Sequence, residues 1–317
     1  MAQLRLSPRT YRRITGASVL ALGFIIVTGA AVRLTGSGLG CPDWPTCAGR
    51  RVVAPWEYHA MVEFTNRTVT GLVSVLVILA VLGSVVRQPR RRDLTWLSAG
   101  LVVGVIGQIV LGGLTVLFKL APPFVMAHFL LSMAIVADAF VLHERAGLPD
   151  VPLVRRPAVD TSLMPLGPLL VAACGLVLVL GTVVTSSGPH GGDIHAKRLP
   201  FALHDVARLH GSAVMLFLAL TVASMGLVWR SGGPGAAELL RRGEVLLGVL
   251  IAQAAIGYVQ YFTRIPALLV GFHIAGAVSV WLATLWFVLG LHTVSPVIDL
   301  RAAAEAPPDA VLAPTST

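Results

Sequence analysis

Apolar residues gather along this chain into eight long runs, separated by short polar and basic stretches. The runs cover residues 14–32, 68–86, 94–118, 120–142, 163–184, 209–229, 245–263 and 266–291. A helix needs about 20 apolar residues to cross the hydrocarbon of a bilayer, and each run is close to that length. Asp138, near the end of the fourth, is the single charge inside them. The pattern predicts an all-α polytopic membrane protein of eight transmembrane helices. Short loops take up the remaining residues and leave no room for a soluble domain. The tails, 1–13 and 294–317, are short, and the second is rich in Ala and Pro. The first run is long enough to span and lacks a clear small-residue cleavage site, so it reads as the first helix, not a signal peptide.

Composition agrees. Hydrophobic residues make up 56% of the 317 and charged residues 12%, with a mean hydropathy of +0.81. A water-soluble globule needs about twice that charged share. Disorder is excluded by the same apolar excess. The net charge of +9 suggests nucleic acid until its placement is read. The N-terminal tail (Arg5, Arg9, Arg12, Arg13) and the loops after spans two, four and six hold most of the basic residues, with Arg301 in the C-terminal tail. By the positive-inside rule that side is cytoplasmic, so both termini are inside. The high pI records topology, and no nucleic-acid partner is implied. The compartment expected is a bacterial plasma membrane.

The two halves resemble each other. Gln108 and Gln253, His128 and His273, and His59 and His204 are each 145 residues apart, and Asn66 and His210 are 144 apart. Each half has four spans, so the halves face the same way, as two parallel-repeat four-helix bundles. Residues 1–150 form one and 151–317 the other.

His128, His210 and His273 lie within apolar stretches, where ligating side chains are costly and usually functional. With Asn66 they stand near the outer beginnings of the even-numbered spans. In the second half His210 and His273 can face each other across a gap, the usual means of holding a haem iron in a bundle. The first half differs. Asn66 takes the place of His210, and Glu63 lies one turn before it on the same face. One half thus has two ligands and no acid; the other has one ligand, an acid and an amide. The division predicts a permanent six-coordinate haem in the second half and a reacting group in the first, with Glu63 moving protons. Glu63 also has an ion-pair partner in Arg67. His59 and His204 are rival ligands farther out. His143, His292, His190 and His195 read as solvated surface. Arg33, Arg67 and Arg208 sit near outer span ends, where they either pair with haem propionates or snorkel to the interface.

Cys41 and Cys47 flank the outer-loop sequence CPDWPTC. On the oxidising face they predict a disulfide, either a redox-active pair or a structural staple. Cys174, inside span five, reads as packing.

The loop GLGCPDWPTCAG, the segment VEFTNR opening span two and the histidines opening spans four, six and eight together resemble the haem A synthase family, across essentially the whole chain. The resemblance implies oxidation of a ring methyl of haem O to a formyl group through hydroxylated intermediates. It implies a haem b cofactor on His210 and His273, with Arg208 nearby. It implies the substrate haem O at His128, Asn66 and Arg67, with Glu63 the acid near the reacting methyl. Many members have a histidine where this chain has Asn66, a departure that leaves the substrate iron more open. Partners implied are haem O synthase, cytochrome oxidase assembly factors, membrane lipid and a second copy of the chain. Two rival readings stand beside it. A b-type bis-histidine cytochrome in quinol electron transfer would not need Glu63. A transporter would need broken helices and polar groups at depth, for which Gln108 and Gln253 are the candidates.

Overall fold

The computed structural model describes residues 5–49 and 51–297. Arg50, Arg301 and most of the C-terminal tail lie outside the described residues. Eight helices follow one another: α1 (Pro8–Leu34), α2 (Tyr58–Val86), α3 (Arg92–Leu117), α4 (Pro122–Ala146), α5 (Leu166–Ser187), α6 (Leu203–Ser231), α7 (Ala236–Phe262) and α8 (Ala267–Leu289). All eight are long and apolar enough to cross a membrane. Their outward faces are apolar too: Leu20, Leu72, Val103 and Leu268 are all more than 60% exposed. Such surfaces suit lipid, where helices satisfy their own backbone polar groups. The chain is a multi-pass membrane protein.

Local chemistry sets the helix ends. Ser7 caps α1 by accepting the Thr10 N–H at 3.2 Å, and Pro8 opens the helix. The α3–α4 and α7–α8 turns share an unusual form. Lys119 and Leu120 have φ of 50° and 59°, and Arg264 and Ile265, at the same 145-residue offset, have 64° and 59°. A left-handed non-glycine costs about 1 kcal/mol or more. The turns recover part of that by closing the preceding helix. Leu120 N–H bonds the Thr115 carbonyl at 2.8 Å, and Ile265 N–H bonds that of Gln260 at 2.7 Å. Each turn thus starts its following helix at an equivalent place, eight residues before His128 and His273.

Packing follows the chain order. α1 lies against α2 and α4, and α3 against α2 and α4; α5 lies against α6 and α8, and α7 against α6 and α8. Two rings of four helices result. They meet where α1 and α4 touch α8 and α4 touches α5. Across that seam the Trp281 indole donates to the Met133 carbonyl at 2.9 Å. At one end of the helices, Gly38 of the α1–α2 loop donates to Gly192 of the α5–α6 loop at 2.8 Å. At the other end, β1 (Leu153–Pro157) and β2 (His292–Pro296) pair antiparallel, Leu153 opposite Pro296. Sequence reading places only loop and tail there. Each strand is short, and its partner lies far along the chain, so neither carries a local signal.

Two polar side chains near the β-ribbon end pack into the protein. Arg87, one of the basic residues counted in the loop after span two, is wholly buried. Its guanidinium grips both oxygens of Asp150 at 2.7 and 2.8 Å and lies 5.9 Å from the centre of the Tyr11 ring. Removing one member of a buried pair strands the other. Arg87→Ala should therefore destabilise the protein by about 3 kcal/mol, read as a lower unfolding temperature in detergent micelles; an unchanged transition would contradict the buried grip. His143, read as surface, packs on α1 instead: its ring abuts Gly16 and its Nδ1 is 3.1 Å from the Thr15 hydroxyl. The glycine leaves room for the ring, and the residue is half-buried.

Candidate functional site

One cavity of about 670 Å³ opens between the helices, and residues from both rings line it. Glu63, Asn66, Arg67, His128, His210 and His273 all reach it. The size lies within the range of small-molecule sites. Its walls are mainly apolar, with Val73, Ile135, Leu178, Phe217 and Val280 among them.

Each ligating candidate on an even helix faces a glycine on the odd helix before it. A Cβ added at Gly112 would sit 3.4 Å from His128 Cε1, one at Gly181 3.3 Å from His210 Cε1, and one at Gly257 3.1 Å from His273 Cε1. A Cβ at Gly29 would sit 4.0 Å from the Asn66 amide nitrogen. The missing side chains leave room for three imidazoles and one amide close to the neighbouring helix. Sequence reading missed these glycines. Gly112 and Gly257 keep the 145-residue offset of their histidines, so the signal was present.

The Nδ1 atoms of His128, His210 and His273 are buried without a hydrogen-bond partner. The backbone carbonyls of Val177 and Gln253, four residues before Gly181 and Gly257, lie beside His210 and His273. Ligating histidines commonly aim one ring nitrogen at such a carbonyl and the other at the metal. Gln253 Nε2 also donates to the His273 carbonyl at 2.7 Å, and Gln108 Nε2 to the His128 carbonyl at 2.9 Å. Both glutamines brace the helix turn that carries a histidine.

His210 and His273 face each other with ring centroids 6.4 Å apart and planes at 72°. An imidazole–metal bond is about 2 Å and the ring centroid lies roughly 1.1 Å behind its nitrogen, so two imidazoles on opposite sides of one metal stand about 6.2 Å apart. The observed spacing fits that requirement. Among the described residues no group of three or more His, Cys, Asp or Glu side chains gathers to hold a bare ion. A porphyrin iron asks the protein for only two axial ligands, so this pair fits a haem better than a free metal.

The other ring is built differently. Asn66 accepts the Thr28 hydroxyl at 2.9 Å. Glu63 is buried and both its oxygens are engaged. Oε2 accepts the Cys41 N–H at 2.8 Å; Oε1 accepts Arg67 Nε at 3.2 Å and Nη2 at 2.6 Å. Arg67 also donates to the carbonyls of Cys41, Asp43 and Thr46 at 3.0 to 3.3 Å. These bonds lash the α1–α2 loop to α2. Cys41 and Cys47 form a buried disulfide within that loop. Trp44 of the same loop lies over Gly113, closing the cavity on that side.

Arg33 and Arg208, read alike as lying near outer span ends, point in different directions. Arg208 is exposed and does not line the cavity. Two residues from His210, it points to a different helix face. Arg33 does line the cavity; its Nη2 donates to the Thr185 carbonyl at 2.6 Å, while its Nε is buried without a partner. His59 and His204, the rival ligands, are exposed, His59 bonded to the Ser37 hydroxyl at 2.9 Å and His204 beside Asp205. His190 bonds the Ile265 carbonyl at 2.8 Å, tying loops together. The helices run unbroken among the described residues, which removes the main expectation of a transporter.

Comparison with known proteins supplies the family. A family model described as COX15-CtaA, cytochrome oxidase assembly protein, matches residues 12–58 and 53–189. Three relatives are each named heme A synthase. That of Symbiobacterium thermophilum is 32% identical over 163 residues, 50% of this chain and 52% of the relative. That of Alkalihalophilus pseudofirmus is 30% identical over 135 residues, 42% and 44%. That of Shewanella oneidensis is 29% identical over 178 residues, 50% and 51%. The chain thus spans about half the length of the curated relatives it matches, or somewhat less. The family match covers the disulfide loop, the Glu63–Arg67 turn, His128 and the helix bearing Gly181, more than half of the chain in all. On that extent of agreement the chain belongs to the COX15-CtaA family of cytochrome oxidase assembly proteins.

Proposed function

We propose that this protein is a haem A synthase, an oxidoreductase that converts a methyl group of haem O to a formyl group. The single observation that carries the reading is the asymmetry of the cavity. Paired imidazoles at metal-sandwich spacing stand at one end, and a lone imidazole with a buried, oriented carboxylate stands at the other.

In this reading residues 151–317 would hold a resident haem b through His210 and His273. When bound, that haem supplies an electron acceptor for the oxidation. Gly181 and Gly257 admit the two rings, and Gln253 fixes the turn of His273. Arg33, with an unused Nε on the cavity wall, takes the propionate-binding role expected of Arg208.

Residues 1–150 hold the substrate. His128 would be its ligand, and Asn66 supplies only an amide at the position where the other half has His210. Glu63 takes the proton released as the methyl is oxidised. Arg67 and the Cys41 N–H set the direction of its carboxylate, and Trp44 limits water from the loop side. Arg67 is committed to the loop and to Glu63, so it positions the acid instead of binding the substrate's propionates. The disulfide loop faces the outside and the β-ribbon end the cytoplasm.

The test is co-expression with a haem O source, followed by reversed-phase analysis of the extracted haems. Haem A should appear with the intact protein and not in cells lacking it. Haem O alone, from a protein that carries its resident haem normally, would favour a simple electron-transfer cytochrome.

A further inference from the structure

We propose that the first-half chamber selects its porphyrin by a hydroxyl group, read by a row of hydrogen-bond acceptors on Thr70, Ser74, Ser132 and Gln108. This rests on the first half being the substrate site, and it names what that site recognises.

The two halves line the cavity with equivalent positions, so each is a control for the other. Gln108 matches Gln253, Ser132 matches Ala277 and Thr70 matches Val214, and all six line the cavity. Ser74 also lines it, while its counterpart Leu218 packs into the second core. Three hydroxyls in one half therefore become aliphatic groups in the other. They lie past Asn66 and His128, on the side away from the disulfide loop. The second half does carry Thr182, Thr185 and Ser186, but on α5 beyond Gly181, at the loop end.

The hydrogen bonds decide what this row can take. Thr70 donates to the Asn66 carbonyl at 3.0 Å, Ser74 to that of Thr70 at 2.9 Å and Ser132 to that of His128 at 2.9 Å. A hydroxyl has one hydrogen to give, so each is left as an acceptor only. Gln108 spends its amide hydrogens on the His128 carbonyl at 2.9 Å and the Ser132 hydroxyl at 2.6 Å. Its Oε1 is buried and has no partner. Gln253 Oε1 also lacks a partner, but it is packed against Gly276, and the position matching Ser132 is Ala277. Gln108 Oε1 is a buried acceptor without a donor, Ser132 keeps one free lone pair beside the Gln108 amide, and the part-buried Thr70 and Ser74 hydroxyls keep theirs, so a donor arriving here is favoured. An aliphatic porphyrin edge offers none. A hydroxyl on a porphyrin side chain, or one formed by oxidation of a ring methyl, offers one at the right kind of site. A site built to bond a hydroxyl also rejects the analogue lacking it.

The probes are iron haematoporphyrin and iron mesoporphyrin, which differ in carrying hydroxyethyl or ethyl side chains. The full-length protein with its resident haem, in detergent micelles, is titrated with each. The signal is the difference spectrum that disappears in His128→Ala. Wild type should bind the hydroxyl-bearing porphyrin about tenfold more tightly, and Thr70→Val/Ser132→Ala, which installs the second-half residues, should reduce the preference to about twofold or less. An unchanged resident-haem spectrum shows that the variant has folded. Equal binding by wild type, or a preference that survives the double substitution, would overturn the proposal alone. If neither porphyrin gives a His128-dependent spectrum, the first half is not a porphyrin site, and the proposal falls together with that reading.

Discussion

Glu63→Gln protein should purify with its resident-haem spectrum intact and convert haem O at about one-hundredth of the wild-type rate or less. The substitution keeps the size of the side chain and one oxygen, which can accept from the Cys41 N–H or from Arg67 but not from both. What it removes is the ability to take a proton. A positioned acid–base group contributes about a hundredfold to ten-thousandfold, so the loss should be large even though the cavity is preserved. Arg67→Ala gives the contrast. It leaves the carboxylate but unties the carbonyls of Cys41, Asp43 and Thr46, and it should weaken turnover through disorder of the loop. Normal haem A formation by Glu63→Gln would remove Glu63 from the chemistry.

His210→Gly and His273→Gly should each empty the second half, with resident haem falling to about one-tenth of the wild-type content or less, because one imidazole alone cannot hold a six-coordinate iron. Free imidazole added during purification should restore a large part of the low-spin spectrum, since the glycine leaves a ring-sized space beside Gly181 or Gly257. Gly257→Val should act in the same direction. Its Cβ would lie 3.1 Å from His273 Cε1, and the extra methyls would push the ring off axis. Full haem content in either histidine variant, without imidazole, would show that the facing rings are not the ligands.

The spans were legible because hydrocarbon thickness imposes one length on every crossing, and each of the eight helices overlaps most of the apolar run that predicts it. Helix α2 starts at Tyr58, well ahead of its apolar run, because Glu63, Asn66 and Arg67 turn inward and hydropathy cannot see them as part of a span. The cavity residues were legible through one repeated offset, since Gln108, His128, Gln253 and His273 keep it. Side-chain direction was not. Arg208 and Arg33 sit at similar span ends in the sequence, yet only Arg33 reaches the cavity. The commitment of Arg67 to loop carbonyls depends on how the CPDWPTC loop folds back, which no periodicity reports. The β-ribbon pairs Arg155 with Val294, a contact between distant segments that neither announces alone.

Low-temperature electron paramagnetic resonance of the oxidised protein tests the division between halves most directly. The account predicts a bis-imidazole, low-spin signal that persists in His128→Ala and vanishes in both His210→Ala and His273→Ala. A signal that vanished in His128→Ala, or that survived the loss of either second-half histidine, would contradict it.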